Sequence, residues 1–259
     1  MALYDIRING VALAPANTSH WGVDKAHGLH GIPTGKDIEN GNPWGPGVNV
    51  IPGPPASSTF SIEAWVEGDG TPENLETRLA DFLNRFRATR FAGNPTFEWF
   101  SSKGWLKCPF RVVTCDVEQD HGSQSARVKL VMENLWGVWR TPDPVIIAGT
   151  FPGSTTLDTG HGAVYDAKIV VTGPVTNPRF VVGNRYMQWT GSVPAGSNLV
   201  LHASPVFAQM HNASVLFNLD WWGSFGRGLD IYPGEPLTVT GSGTTTQSAW
   251  QIEYQKVYY

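Results

Sequence analysis

The fold is decided by residues 59–67, which read TFSIEAWVE. Phe60, Ile62, Ala64 and Val66 alternate there with Ser, Glu and Trp residues. Successive side chains of a β-strand point to opposite faces, so this period of two predicts a strand with one buried face.

A second alternating pattern, near the start of the chain, predicts a hairpin. Ile6 and Ile8 precede the dipeptide Asn9-Gly10, which is typical of two-residue hairpin loops, and the alternation resumes at Val11. We therefore expect two short antiparallel strands on either side of this turn.

The only convincing helical pattern follows the strand at 59–67. Thr71 is suited to the N-cap and Pro72 to the first helical position. Apolar residues then recur at the spacing of a one-sided helix: Leu75, Leu79, Phe82, Leu83 and Phe86. We expect the helix to continue until Gly93-Asn94-Pro95 stops it.

After the helix, strands are expected at residues 96–100, 105–116 and 126–138. The Pro-rich segment Thr141–Pro144 then predicts a domain boundary. We therefore expect an N-terminal domain at 1–143, a linker at 144–160 and a C-terminal domain at 161–259.

The expected C-terminal domain has no helical pattern. Short apolar runs separated by turn residues recur between residues 163 and 257, among them Val215–Asn218 and Gly228–Ile231. Strands at this spacing are typical of a β-sandwich or jelly roll. The chain is thus predicted to be mainly β, with a β-sandwich-like first domain that carries one amphipathic helix.

Composition supports β architecture and argues against several classes of function. Of 259 residues, 29 are Gly, 19 are Pro and 11 are Trp, and only 15% are charged. The net charge of −4 and the lack of a Lys/Arg cluster argue against a nucleic-acid partner. No apolar run approaches the ~20 residues of a membrane span, and no secretory signal is expected. We expect Cys108 and Cys115 to be reduced and to lie on opposite faces of one strand.

A long segment rich in Gly and Pro, residues 14–58, is expected to form a loop. Loops of this length in compact domains are usually functional or disordered. This one carries apolar residues that a solvated linker does not need, so we expect part of it to pack on another surface. The candidates for a subunit interface are Trp21, Trp44, Val48, Val50 and Ile51.

Groups that suit metal binding or catalysis are interpreted as solvated. Three histidines lie close together but lack the fixed spacing that usually presents Zn ligands: His20, His27 and His30. Three carboxylates suit Ca²⁺ or, equally, a solvated strand face: Asp116, Glu118 and Asp120. No hydrolase or phosphate-binding motif is present. We therefore expect no catalytic residues, no cofactor and no bound metal.

The strongest binding signal is the pair Trp221-Trp222. Neighbouring residues on a strand point opposite ways, so at most one of the two can face the core and one is expected to be exposed. An exposed Trp can stack on a sugar ring or pack in a protein interface. The sequence leaves these two roles open.

In the order of its elements, the chain resembles the distal tail proteins of long-tailed, non-contractile bacteriophages. The shared order is a hairpin, a long variable loop, a strand of the 59–67 type, one amphipathic helix and further strands. The second half resembles the family at Asn177–Phe180, Gly191–Leu199 and Ile231–Gly234. The late turn departs from the family pattern, because Pro236 stands where the family usually carries Asn.

The resemblance implies a structural virion protein with no catalytic residues to carry over. In this family the first domain forms a ring of six copies that joins the tail tube to the tail tip or baseplate, and a galectin-like sandwich projects outward. The implied partners are the tail tube protein, the tail tip hub or tail-associated protein, the tape measure protein and receptor-binding proteins. The implied location is the tail tip of the virion, after assembly in the host cytoplasm.

Two other functions remain open on the residues alone. A carbohydrate-binding or receptor-binding module of a phage tail would use the same sandwich, with Trp221 or Trp222 contacting the ligand. A tail-associated hydrolase would need two carboxylates that face each other across a cleft, and the sequence identifies no such pair.

Overall fold

The computed structural model describes residues 5–13, 20–30, 38–41, 48–51, 57–87, 93–119, 124–223 and 228–259, with the backbone alone for 38–41 and 48–51. The chain divides into two compact units, residues 1–140 with Tyr259 and residues 141–258. The boundary expected within Thr141–Pro144 therefore lies just before Thr141.

The described part of the first unit consists of strands and one helix. In chain order these are β1 (Ile6–Ile8), β2 (Val11–Ala12), β3 (Trp21–His27), β4 (Ile38–Gly41), β5 (Val48–Ile51), β6 (Ser58–Glu67), α1 (Pro72–Asn84), β7 (Thr96–Ser101), β8 (Gly104–Glu118), β9 (Ser125–Asn134) and β10 (Trp139–Arg140).

The main sheet of the first unit follows the order β2-β1-β7-β8-β9-β6-β3, and β10 pairs with β8. The long strand β8 joins two halves of this sheet, because residues 104–109 pair with β7 and residues 110–118 pair with β9. Its register shifts between Val112 and Thr114. An extra residue of this kind bends a strand, so the two halves of the sheet can face each other.

The core between the two halves is aromatic. Phe60 of β6 lies edge-on to Phe97 of β7, with 4.7 Å between ring centroids, although two strands separate β6 from β7 in the sheet. Phe110 and Trp139 also pack against the Phe60 ring. The alternate apolar residues of the 59–67 stretch are all buried, which confirms the predicted strand and its face.

The predicted hairpin at the start of the chain is also confirmed. Ile8 of β1 pairs with Val11 of β2. Asn9 and Gly10 between them have φ angles of 53° and 77°. These left-handed conformations are the ones a two-residue type I′ turn requires.

Helix α1 begins as predicted but ends earlier. The backbone N–H of Asn74 donates a hydrogen bond of 3.2 Å to the Thr71 side-chain oxygen, which caps the first turn. The helix ends at Asn84 rather than at the Gly-Asn-Pro segment further on. Arg85 and Phe86 donate to carbonyls three residues back, which is the tighter 3₁₀ geometry common at helix ends.

The described part of the second unit consists of short strands and one 3₁₀ turn, Leu216–Asn218. In chain order the strands are β11 (Val145–Thr150), β12 (Gly153–Thr156), β13 (Lys168–Thr172), β14 (Val175–Val182), β15 (Arg185–Trp189), β16 (Ser192–Val193), β17 (Asn198–Ala203), β18 (Val206–Met210), β19 (Ala213–Ser214), β20 (Leu219–Trp222), β21 (Pro236–Ser242), β22 (Ala249–Tyr254) and β23 (Val257–Tyr258).

Two antiparallel sheets form a sandwich in the second unit. One has the order β11-β22-β13-β17-β18-β19, and the other has the order β12-β21-β14-β15-β20, with β16 paired to β14. Their inner faces pack closely. A Cβ atom at Gly228 would lie 2.7 Å from Met187 Sδ of one sheet and 3.1 Å from Ala203 Cα of the other. The predicted mainly-β class is confirmed.

Three expectations for the second half are corrected. Residues 144–160 are not a linker, because they contain β11 and β12, which pair with β22 and β21. Prolines flank both strands and resemble turn signals, yet they are compatible with edge strands. Val215–Asn218 is largely the 3₁₀ turn, and Gly228–Ile231 contributes only an isolated bridge from Ile231 to Val164.

No helix within the described residues is long and apolar enough to cross a membrane.

Candidate interaction surfaces

Four strands of the first unit form a sheet whose two ends are unpaired among the described residues. In order they are residues 110–118 of β8, then β9, β6 and β3. We call them the four-stranded sheet. Beyond β3, and beyond residues 113–118 of β8, no described strand adds a further pair. The sheet has four strands, and each strand is antiparallel to its neighbours. The two edge strands therefore run in opposite directions.

A row of charges with alternating sign crosses the outward face of the four-stranded sheet. Lys25 on β3 is opposite Glu63 on β6, and their charged atoms are 3.5 Å apart. Glu63 is opposite Lys129 on β9, and Lys129 is opposite Asp116 on β8. The row therefore begins with a positive residue at the β3 edge and ends with a negative residue at the β8 edge. Glu118 adds a second carboxylate on β8.

The β8 edge also exposes apolar side chains. Val113 is 53% exposed and Val117 is 41% exposed. The bulge at Val113 shifts the alternation by one residue, so Cys115 lies opposite Leu130 on the core-facing side. The expectation that the two cysteines lie on opposite faces is wrong for this reason. Both thiols are free, with Cys108 buried and Cys115 exposed.

The segment 14–58 was expected to be a loop, but its described residues include three strands, β3, β4 and β5. β3 belongs to the four-stranded sheet, and its pattern was obscured by a bulge between Val23 and Lys25 that breaks the period of two. Trp21 at its start is half-buried. The indole N–H of Trp21 donates to the Leu13 carbonyl at 2.5 Å, and its ring lies 5.9 Å from that of Phe82.

The other interface candidates of this segment lie elsewhere. Val48, Val50 and Ile51 form part of β5, which pairs with β4 in a separate hairpin whose side chains are not described. Trp44 lies outside the described residues. A subunit contact through these five residues stays a prediction.

A second surface lies on the outer face of the β20 edge in the second unit. Trp221 is opposite the buried Met187 and is half-buried, whereas Trp222 is opposite Tyr186 and is 63% exposed. The two indoles therefore lie on opposite faces of the strand, as expected. Whether Trp222 binds a ligand stays a prediction.

Tyr186 is held in place beside Trp222. Its hydroxyl donates a hydrogen bond of 2.9 Å to Asp220 Oδ2, and the Arg179 guanidinium lies 4.7 Å from the centre of its ring. The hydrogen bond to Asp220 raises the pKa of the Tyr186 phenol above its ordinary value. The side chain therefore remains a protonated donor over the whole neutral range.

The three histidines considered as metal ligands have separate environments. His20 is exposed, and His27 Nε2 lies 3.9 Å from Glu63 Oε1. The His30 ring packs edge-on to Trp99 at 4.9 Å. Among the described residues, no group of three His, Cys, Asp or Glu side chains is placed to hold a metal ion.

The carboxylates considered for Ca²⁺ fall on the four-stranded sheet. Asp116 is opposite Lys129, and Glu118 is opposite Arg127. Opposite charges across an antiparallel pair stabilise a sheet, so these groups have a role in the row of charges described above. Asp120 lies outside the described residues.

Comparison with known proteins was made on both sequence and fold. No family model and no curated protein matches the chain. Among solved structures, the SPP1 Dit protein (gp 19.1) matches over 100% of both chains, with a TM-score of 0.69 and 13% identity. The chain has the fold of the SPP1 Dit protein. The resemblance to distal tail proteins is thereby confirmed at the level of the fold.

Two further structures are similar to a lower degree. The phage P2 baseplate in its activated conformation with Ca matches over 98% of both chains, with 9% identity and a TM-score of 0.43. The tail of an empty GTA particle matches over 50% of this chain and 74% of its own, with 14% identity and a TM-score of 0.24.

Proposed function

We propose that this protein is a structural component of a phage tail, located at the distal end of a long non-contractile tail. The observation that carries this proposal is the correspondence of both units, over the whole chain, to the SPP1 Dit protein. That protein is presented as a paradigm of the hub adsorption apparatus of phages that infect Gram-positive bacteria. In this role the protein is not an enzyme.

The proposed assembly is a ring of six copies that connects the tail tube to the tail tip or baseplate. A ring needs a heterologous contact, in which one surface of a protomer meets a different surface of the next. The four-stranded sheet offers two such surfaces, since its β8 and β3 edges run in opposite directions. Joining the β8 edge of one copy to the β3 edge of the next continues an antiparallel sheet.

Charge and hydrophobicity at the two edges favour this join. If the rows of the sheet continue across it, Asp116 of one copy meets Lys25 of the next, and Val117 meets Val23. The exposed fraction of Val117 would then be buried against an apolar side chain. The same register brings Cys115 next to Ala26.

The proposed partners follow from the proposed place in the tail. They are further copies of this chain, the tail tube protein and the tail tip hub or tail-associated protein, with the tape measure protein and receptor-binding proteins in addition. The protein would be built into the tail tip of the virion, after assembly in the host cytoplasm.

The proposal is tested by counting subunits. Analytical ultracentrifugation of the purified chain over a wide concentration range, with negative-stain imaging of the same samples, should reveal a closed ring with six-fold symmetry. Imaging of assembled particles should place this ring at the distal end of the tail. A chain that stays monomeric at high concentration, in particles that contain no such ring, would contradict the proposal.

A further inference from the structure

We propose that the outer face of β14, β15 and β20 in the second unit binds a saccharide. Trp222 and Tyr186 would stack on the sugar, and Asp220, Gln188 and Arg179 would hydrogen-bond its hydroxyl groups. This site is independent of the proposed ring, because it lies wholly within the second unit.

The five side chains form two adjacent rows on one face of the sheet. Trp222 is directly opposite Tyr186 on the neighbouring strand. Asp220 is opposite Gln188, and Gln188 is opposite Arg179. Residues opposite each other have Cβ atoms about 5 Å apart, and residues two apart on one strand are separated by roughly 7 Å. A sugar ring that stacks on Trp222 therefore has the side chains of Asp220, Gln188 and Arg179 within reach of its hydroxyl groups.

The chemistry of the two rows suits a polyhydroxylated ring. The indole of Trp222 gives a broad apolar surface for the C–H face of a sugar. Asp220 provides acceptor oxygens, the Arg179 guanidinium provides donors in a fixed fork, and Gln188 provides both. Hydroxyl groups need partners of both kinds when they leave water, since an unpaired polar group costs free energy.

Contacts within the protein pre-arrange these groups. The Tyr186 hydroxyl uses one oxygen of Asp220, at 2.9 Å, and so orients the carboxylate while the other oxygen remains an acceptor. Arg179 stacks on the Tyr186 ring at 4.7 Å from its centre. Groups that are ordered before binding lose less conformational entropy on binding, and this favours affinity.

The surroundings favour a sugar over a protein partner. The next residues along these rows are Thr240, opposite Arg179, and Thr238, opposite the half-buried Val181. Among the described residues of these two rows, the exposed apolar surface is one indole and part of one phenol ring, framed by polar side chains. Leu216 and Phe217, which are also exposed, lie on the 3₁₀ turn before β20 and not on these rows. The core of a stable protein interface needs a larger continuous apolar patch, on a total buried area of more than about 1,000 Å².

The test measures binding at Trp222 directly. Protein labelled with 5-fluorotryptophan is titrated with maltohexaose, cellohexaose and chitohexaose, and the Trp222 resonance is assigned by its loss in Trp222→Ala. We expect at least one of these oligosaccharides to shift that resonance saturably. Trp222→Ala should weaken its binding, measured by calorimetry, by at least about tenfold. Tyr186→Phe, which keeps the ring and removes the hydrogen bond to Asp220, should weaken it by about two- to fivefold.

The matched control is Trp136→Ala. Trp136 is also an exposed indole, at 36%, with a guanidinium stacked on it, but it belongs to the first unit. This variant should bind the oligosaccharide as the unmodified chain does. The proposal is overturned if none of the three oligosaccharides shifts Trp222, or if binding survives Trp222→Ala. It is also overturned if Trp222→Ala abolishes ring assembly, because that result assigns the indole to a protein contact.

Discussion

Reversing the charge of Asp116 should weaken assembly of the proposed ring. In the continued sheet, Asp116 at the β8 edge of one copy faces Lys25 at the β3 edge of the next. Asp116→Lys replaces this attraction by repulsion between two ammonium groups. The substitution lies on the exposed end of a strand, where it leaves the buried core of the first unit untouched.

The magnitude follows from the exposure of the partners. The Lys25 side chain is 64% exposed, so the pair is expected to contribute the ~0.2–1 kcal/mol typical of surface pairs. Reversal turns that gain into a penalty of similar size, a change of roughly 0.4–2 kcal/mol for each contact. The concentration at which half of the protein is assembled should therefore rise about 2- to 30-fold. The difference should shrink as salt is raised, because the Debye length falls from about 10 Å at 0.1 M to about 3 Å at 1 M.

The assay is sedimentation velocity over a concentration series at low and high salt. Asp116→Lys also places Lys beside Lys129 within the same protomer, which costs a few tenths of a kcal/mol to about 1 kcal/mol. Thermal unfolding of the monomer is measured in parallel to separate this effect. Asp81→Lys, a charge reversal at another exposed carboxylate on α1, serves as the matched control and should assemble normally.

The decisive comparison is the double variant Asp116→Lys with Lys25→Asp. It restores opposite charges between neighbouring copies, yet it leaves like charges side by side inside each protomer at both ends of the row. Only a contact between copies predicts that the double variant assembles better than either single variant. If the double variant is no better, or if Asp116→Lys alone assembles like the unmodified chain at low salt, the proposed edge contact is refuted.

Three further predictions test the helix cap, a close-packed glycine and the environment of Cys115. Thr71→Ala removes the N-cap of α1 and should lower the free energy of unfolding by about 1 kcal/mol in denaturant titration, whereas Thr77→Ala, mid-helix and exposed, should change it by less than about 0.5 kcal/mol. Gly191→Ala places a Cβ 2.7 Å from the indole of the preceding strand at a φ of 144°, and should destabilise the second unit by about 1–3 kcal/mol, measured by calorimetry. Burial raises the pKa of the Cys115 thiol, and Asp116 raises it further. Asp116→Asn should therefore lower this pKa and speed alkylation of Cys115 by iodoacetamide at pH 8, and an unchanged alkylation rate would contradict this expectation. Ring assembly should protect the thiol from alkylation.

Local patterns in the sequence predicted those elements whose signals lie within a few residues. The alternation around Phe60, the Asn9-Gly10 turn and the Thr71 cap each depend on neighbours in the chain, and each is present. The end of α1 was missed, because apolar spacing persists to Phe86 while the chain already tightens into a 3₁₀ turn. β3 was missed because a bulge breaks its period.

The candidate surfaces were also predicted only where the signal is local in the sequence. The opposite orientation of Trp221 and Trp222 follows from strand geometry alone, and it was predicted. The aromatic and polar groups beside Trp222 could not be predicted, since Tyr186 and Arg179 come from strands far away in the sequence. The row from Lys25 to Asp116 was missed for the same reason, because only the register of four strands makes its signs alternate.

The alternating charges of the row from Lys25 to Asp116 influence which contacts between copies the four-stranded sheet can form. An exposed edge strand can pair with any other edge, including the same edge of a second copy. Pairing two β8 edges around a two-fold axis would bring the carboxylates Asp116 and Glu118 of both copies together. Pairing two β3 edges would bring Lys25 of both copies together, but Asp24 lies next to it on the same edge and offsets part of that repulsion. Like charges in such positions repel, whereas the β8-to-β3 join brings opposite charges together. The charges therefore disfavour the β8-to-β8 dimer most strongly and favour the head-to-tail contact, which is the contact that a closed ring requires.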